Sequence, residues 1–166
     1  MDALAPAVAE RRHATLRRAA RWLTAGYLLA LTLIAFWPTP VDRGAAGSIT
    51  RTLAFLHAHG VPQWLDYPAV EFTANIALFL PVGLLGVVLL GSARWWMAVL
   101  AGFAASSLIE VGQLVFLPDR FATPLDVLAN TAGTALGALL ALAVLAVVTA
   151  RSPRSLVEPV APPPAG

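Results

Sequence analysis

Seven side chains in this sequence are of types that apolar helices rarely carry without a purpose: Glu71, Asn75, Glu110, Gln113, Arg120, Asp126 and Asn130. Six of them form acid–amide pairs, Glu71 with Asn75, Glu110 with Gln113 and Asp126 with Asn130. Spacings of three or four residues put each pair on one helix face. Polar groups of this kind are costly in bilayer hydrocarbon and normally face a bundle interior or a water-filled cavity. With Arg120 as the cation, the set suits the polar part of an amphiphile. The guanidinium can pair an anionic group, the amides can hydrogen-bond, and the acids either pair with Arg120 or are kept protonated by burial.

The same residues allow other chemistry. Glu110 and Asp126 could divide general acid and base roles, with Arg120 stabilising an oxyanion, in an enzyme acting on a lipid-linked envelope precursor. Intramembrane carboxylates also permit a small proton-coupled transporter, although the polar groups gather at one side and a four-span chain would need a second copy to form a pathway. No nucleophilic cysteine, metal-ligand cluster or phosphate loop accompanies them. No catalytic residue, metal or cofactor is therefore assigned. His57 and His59, two residues apart on a helix, do not share a face. Purely structural roles compete too. Asp126 can complete a cap, Glu71 can favour a helix N-terminus, and polar side chains can simply hold a bundle together.

The elements that must position these groups are apolar helices. The chain is 58% hydrophobic and 12% charged, where soluble domains carry about a quarter charged residues. The net charge of +2 is too small to argue for nucleic acid. Four apolar runs are long enough to span a bilayer, at about 22–41, 72–93, 95–117 and 126–150; the third carries Glu110 and the fourth opens on Asp126. The fold class expected is all-α, a polytopic membrane protein built as a four-transmembrane-helix bundle. Residues 1–21 read as a basic cytoplasmic tail, disordered with a helical end, and 22–150 as the membrane domain. Residues 151–166, with five prolines after Ser152, read as a disordered tail. A cleaved signal peptide is the rival reading of the first run, but the run is long for one and ends in Phe36-Trp37-Pro38 without a clean cleavage site.

Between the first two runs, Ile49, Leu53 and Leu56 form one stripe over 47–59, the pattern of an amphipathic helix on a membrane surface. Pro81 should kink the second span and release the carbonyl of Ala77; Gly83 follows it. Thr123-Pro124-Leu125-Asp126 is a strong helix start, with a capping residue, a proline at the first helical position and an acid three residues after the cap. Gly133 and Gly137 form a GxxxG on the Asp126 face, so a neighbouring helix can approach closely.

All eleven basic residues are arginine. Arg11, Arg12, Arg17, Arg18, Arg21, Arg94, Arg151 and Arg154 fall on one side of a four-span topology; Arg43, Arg51 and Arg120 fall on the other. The positive-inside rule then puts both termini in the cytoplasm. The three acid–amide pairs come to similar depth in the outer half of the membrane, with Arg120 above them.

These residues resemble the VanZ-like family of bacterial membrane proteins. Asn75 through Phe79, Pro81 and Gly83 are similar to its N-x-x-x-F-x-P-x-G motif. Ile109, Glu110 and Gln113 are similar to its I-E-x-x-Q. Arg120 and then Asp126, Asn130, Thr131, Gly133 and Gly137 are similar to its R…D-x-x-x-N-T-x-G-x-x-x-G ending. The family's namesake is associated with reduced sensitivity to teicoplanin, a lipid-bearing glycopeptide antibiotic. The resemblance implies a multi-pass protein of the bacterial cell membrane but supplies no biochemical activity. The favoured reading is a non-enzymatic envelope protein with an outward-facing polar pocket. Membrane lipids are its expected partners, an amphiphilic antibiotic or a lipid-linked precursor its candidate ligand, and a homo-oligomer remains open.

Overall fold

A computed structural model describes residues 4–37, 44–117 and 123–151. Among these residues every regular element is helical: α1 (Leu4–Ala35), α2 (Ala46–Ala58), α3 (Tyr67–Leu90), a 3-10 turn (Ser92–Arg94), α4 (Trp95–Phe116) and α5 (Pro124–Arg151). Three stretches are long and apolar enough to cross a membrane: Tyr67–Leu90, Ser92–Phe116 and Pro124–Arg151. That is the pattern of a multi-pass membrane protein.

The first helix departs from expectation at both ends. It is continuous from Leu4, through the segment that reads as a disordered tail. The reason is local: the segment is rich in alanine and arginine, both good helix formers, and its proline, Pro6, falls in the first turn where it is tolerated. At the other end α1 stops at Ala35, and residues 38–43 lie outside the described set. Its uncharged helical part, Trp22–Ala35, is about 21 Å long at 1.5 Å per residue. A hydrocarbon core is about 30 Å thick. The stretch therefore falls short of the three others as a span.

Helix α3 begins at Tyr67, five residues before its uncharged run. The Asp66 side chain accepts from the Ala69 N–H at 3.0 Å, and Pro68 occupies the first turn. These are cap and start signals that a reading by hydrophobic runs passes over. The helix is unbroken through Pro81 and ends at Gly91, whose φ of 86° favours glycine. The other two spans run close to their expected limits. Thr123 accepts from the Asp126 N–H at 3.3 Å and opens α5. The C-terminal segment 152–166 lies outside the described residues.

Helices α3 and α5 run parallel, with α4 antiparallel to both. Glycines set the spacing. A Cβ on Gly133 would stand 2.2 Å from the Ile76 carbonyl oxygen, one on Gly137 1.9 Å from that of Leu80, and one on Gly83 1.8 Å from that of Thr134. Backbone thus lies against backbone, close enough for Cα–H···O contacts, and dispersion between small residues replaces the hydrophobic effect as the cohesive force. Helix α4 closes the core through Ala98, Gly102 and Ser106, which meet Gly86, Thr134 and Asn130. The large aliphatic side chains of α4 and α5, such as Leu108, Val111, Leu139 and Val144, point outward.

Helix α1 is tied to this trio by two side-chain bonds to backbone. The Tyr27 hydroxyl donates to the Leu78 carbonyl, next to the Ala77 carbonyl that Pro81 leaves without its helical donor. The Gln113 amide donates to the Ala35 carbonyl at 2.8 Å. The C-terminal end of α1 therefore sits level with the C-terminal end of α4 and the N-terminal ends of α3 and α5.

Candidate functional site

The polar side chains of the three apolar helices gather at that common end. Asn75, two turns into α3, donates from Nδ2 to Asp126 Oδ1 at 2.7 Å. The second oxygen of Asp126 accepts from the Thr123 hydroxyl at 3.0 Å. Both carboxylate oxygens are thus engaged, one across to α3 and one back to the residue that opens α5. Asp126 acts as a cap and as a bolt between parallel helices.

One turn deeper on the same face of α5, Asn130 is 5% exposed. It donates from Nδ2 to the hydroxyl of Ser106 on α4 at 2.8 Å. Its Oδ1 is buried and finds no donor among the described residues. A buried acceptor without a partner costs about 1–3 kcal/mol and is uncommon in native interiors. Thr134 follows one further turn down and returns its hydroxyl to the Asn130 carbonyl at 2.9 Å. The result is a polar seam that begins at the helix ends and descends into the α4–α5 contact.

Glu110 stands one turn beyond Ser106 on α4, half-buried, with Oε2 enclosed. Gln113 is 8% exposed, but its amide turns to the Ala35 carbonyl, so it fastens α1. Glu71 is exposed and sits in the second turn of α3, one turn before Asn75. Arg120 lies outside the described residues. The geometry thus joins Asn75, Asp126 and Asn130 directly, brings Glu110 to the next turn of the same α4 face as Ser106, leaves Glu71 at the rim and turns Gln113 toward α1. His57 and His59 engage separate carbonyls, those of Leu65 at 3.0 Å and Phe55 at 2.8 Å.

Two participants escape a search for acids and amides. Ser106 is fully buried and is the partner of Asn130; its position four residues before Glu110 was the available signal. Tyr27 carries no such signal, since a lone tyrosine in an apolar run is unremarkable by type.

A family model described as VanZ/LLP1 matches residues 24–146. That stretch contains the whole seam, all of α3 and α4, and α5 as far as residue 146. No curated protein matches the chain, and no solved structure does. The chain belongs to the VanZ/LLP1 family.

Proposed function

Proceeding from that membership, we propose that the chain is a non-enzymatic protein of the bacterial cell membrane that holds the polar part of an amphiphile at the outer end of its bundle. The ligand class is a lipid headgroup or a lipid-bearing molecule; altered sensitivity to lipoglycopeptides of the teicoplanin type would be one consequence. The observation that carries this reading is the side-chain Oδ1 of Asn130, buried beside the Ser106–Asn130 bond and lacking a donor among the described residues. An interior acceptor of this kind suits an incoming O–H or N–H. Glu110 and Arg120 would complete the pocket, Arg120 meeting an anionic group. The engagement of both Asp126 oxygens favours this reading over an acid–base enzyme.

In this reading α1 is a fourth crossing and both termini are cytoplasmic. The tryptophans support it. Trp22 and Trp37 flank the apolar part of α1, and Trp95, Trp96 and Phe116 stand at the two ends of α4. All are exposed, as interfacial belts require. Residues 22 and 37 are about 22 Å apart along a helix, a shortfall that Arg17, Arg18 and Arg21 can bridge by snorkelling.

The test is a strain lacking the protein, complemented at matched expression with wild type, Glu110→Gln, Arg120→Ala or Gly26→Ala. Lipoglycopeptide sensitivity and the lipids retained by each purified protein are scored together. Wild type and Gly26→Ala should retain a bound amphiphile that the other two lose while still folded. Equal retention and equal sensitivity in all four would refute the pocket.

A further inference from the structure

Residues 44–66, which lead into α3, form an ordered arm rather than a slack loop. Val61 donates to the Leu56 carbonyl, Leu65 to that of Pro62, and His57 holds the Leu65 carbonyl, so residues 56–66 fold back on α2 and lead into the Asp66 cap of α3. Its apolar stripe is already spoken for: Leu53 is 9% exposed and Ile49 and Leu56 are half-buried. The face expected to meet a membrane thus turns inward, and the arm packs chiefly against α3.

What faces out is aromatic. Phe55 is 61% exposed and Trp64 73%. Phe55 stacks on the ring of His59 at 4.1 Å, and Arg51 lies one turn before it on the same face. Level matters here. Trp64 precedes the α3 cap by two residues, and the uncharged run of α3 starts at Phe72. Measured along α3, the cap residue Asp66 into which the arm leads stands about 9 Å above that start, in the headgroup zone that interfacial aromatics occupy. Trp37 and Phe116 are exposed at the same end of the bundle.

We propose that the arm is a membrane-surface anchor in which Phe55 and Trp64, not the Ile49–Leu53–Leu56 stripe, enter the lipid headgroup layer at the end of the bundle that carries the polar seam. Arg51 meets lipid phosphate beside them. The proposal requires only that α3 cross the membrane; it stands whatever the seam binds.

The chain has no cysteine, so single cysteines introduced into the full chain can carry an environment-sensitive NBD label. The sites are Phe55→Cys, Trp64→Cys, Leu53→Cys and Gln63→Cys, each reconstituted in vesicles of phosphatidylcholine with phosphatidylglycerol. Labels at 55 and 64 should emit blue-shifted light and lose at least about twofold more intensity to a shallow nitroxide lipid than to a water-soluble nickel chelate, as burial of 5–10 Å demands. The label at 63 should show the reverse preference, and the label at 53 should be shielded from both quenchers. If labels at 55 and 64 behave like that at 63, the arm faces water and the proposal fails. If they are shielded from both quenchers and transfer energy between copies, the aromatic face is a contact with a second chain, which overturns it equally. If the label at 53 alone is quenched by lipid, the inward stripe is the membrane face and the assignment is wrong.

Discussion

Replacing Gly137 by alanine tests the closeness of α3 and α5, on which the alignment of Asn75 with Asp126 depends. The added Cβ would lie 1.9 Å from the Leu80 carbonyl oxygen and 2.8 Å from its carbon, where ordinary contact begins at 3.4 Å. About 1.5 Å must be found, and both obstructing atoms are backbone, so no side chain can swing aside. Overpacking costs about 1–3 kcal/mol, and a rigid obstruction belongs near the top of that range. Alanine recovers about 1 kcal/mol of helix propensity over glycine, leaving a net loss of about 1–2 kcal/mol. Gly26 is the internal control: nothing lies within 4 Å of its Cβ position, so Gly26→Ala should stabilise by about 0.5–1 kcal/mol. Gly83→Ala should resemble Gly137→Ala, its Cβ meeting the Thr134 oxygen at 1.8 Å. The double variant should lose less than the sum, because one displacement of α3 from α5 relieves both clashes. Reversible unfolding in mixed micelles, or steric trapping in bicelles, reads all four. If Gly137→Ala gains stability as Gly26→Ala does, the two helices do not touch as described and the reasoning fails.

Other outcomes follow from single bonds. Ser106→Ala removes the acceptor of the Asn130 amide and should destabilise by about 1–2 kcal/mol, read by the same unfolding assay, whereas Ser107→Ala, which loses only an exposed bond to the Phe103 carbonyl, should be near neutral. A double-mutant cycle of Asn75→Ala with Asp126→Ala should give a favourable coupling of about 0.5–2 kcal/mol, the range for interhelical bonds in membranes; a coupling of zero would deny the bolt. Gln113→Ala should leave α3, α4 and α5 packed but loosen the C-terminal end of α1, seen as faster modification of a cysteine placed at Leu31, which is buried in the wild type.

How much was legible in the sequence differs by residue for physical reasons. Thr123-Pro124-Leu125-Asp126 announces its helix because capping is local, and α5 starts there. The three apolar helices announce themselves through long runs of high hydropathy that a few polar residues do not break. Helix α1 misleads in both directions, since arginine is at once a signal of a polar tail and a good helix former. The stripe of α2 is legible as a stripe but not as to its partner: apolar periodicity states that a face is covered, not whether protein or lipid covers it. The Asn130–Ser106 bond was hidden because serine is ordinary in such helices, and only the register of α4 against α5 selects Ser106 over Ser107.

The seam also divides the acids by role. A carboxylate with both oxygens engaged by an amide and a hydroxyl, as in Asp126, is positioned to fix helices, and its removal should be felt first as instability. Asn130 differs: one end of its amide is fixed to α4, while the other is buried with no donor among the described residues. Natural bundles avoid that cost unless something fills the place. Water alone could fill it; Asn130→Leu by itself orphans the buried Ser106 hydroxyl and should cost about 1–3 kcal/mol, whereas Asn130→Leu combined with Ser106→Ala removes both partners and the orphan acceptor and should be near neutral in stability. If an amphiphile's hydroxyl or amine fills it, the same double variant folds but loses the bound molecule. Stability and retention therefore move apart for Asn130 and together for Asp126, and that contrast separates a binding seam from polar glue.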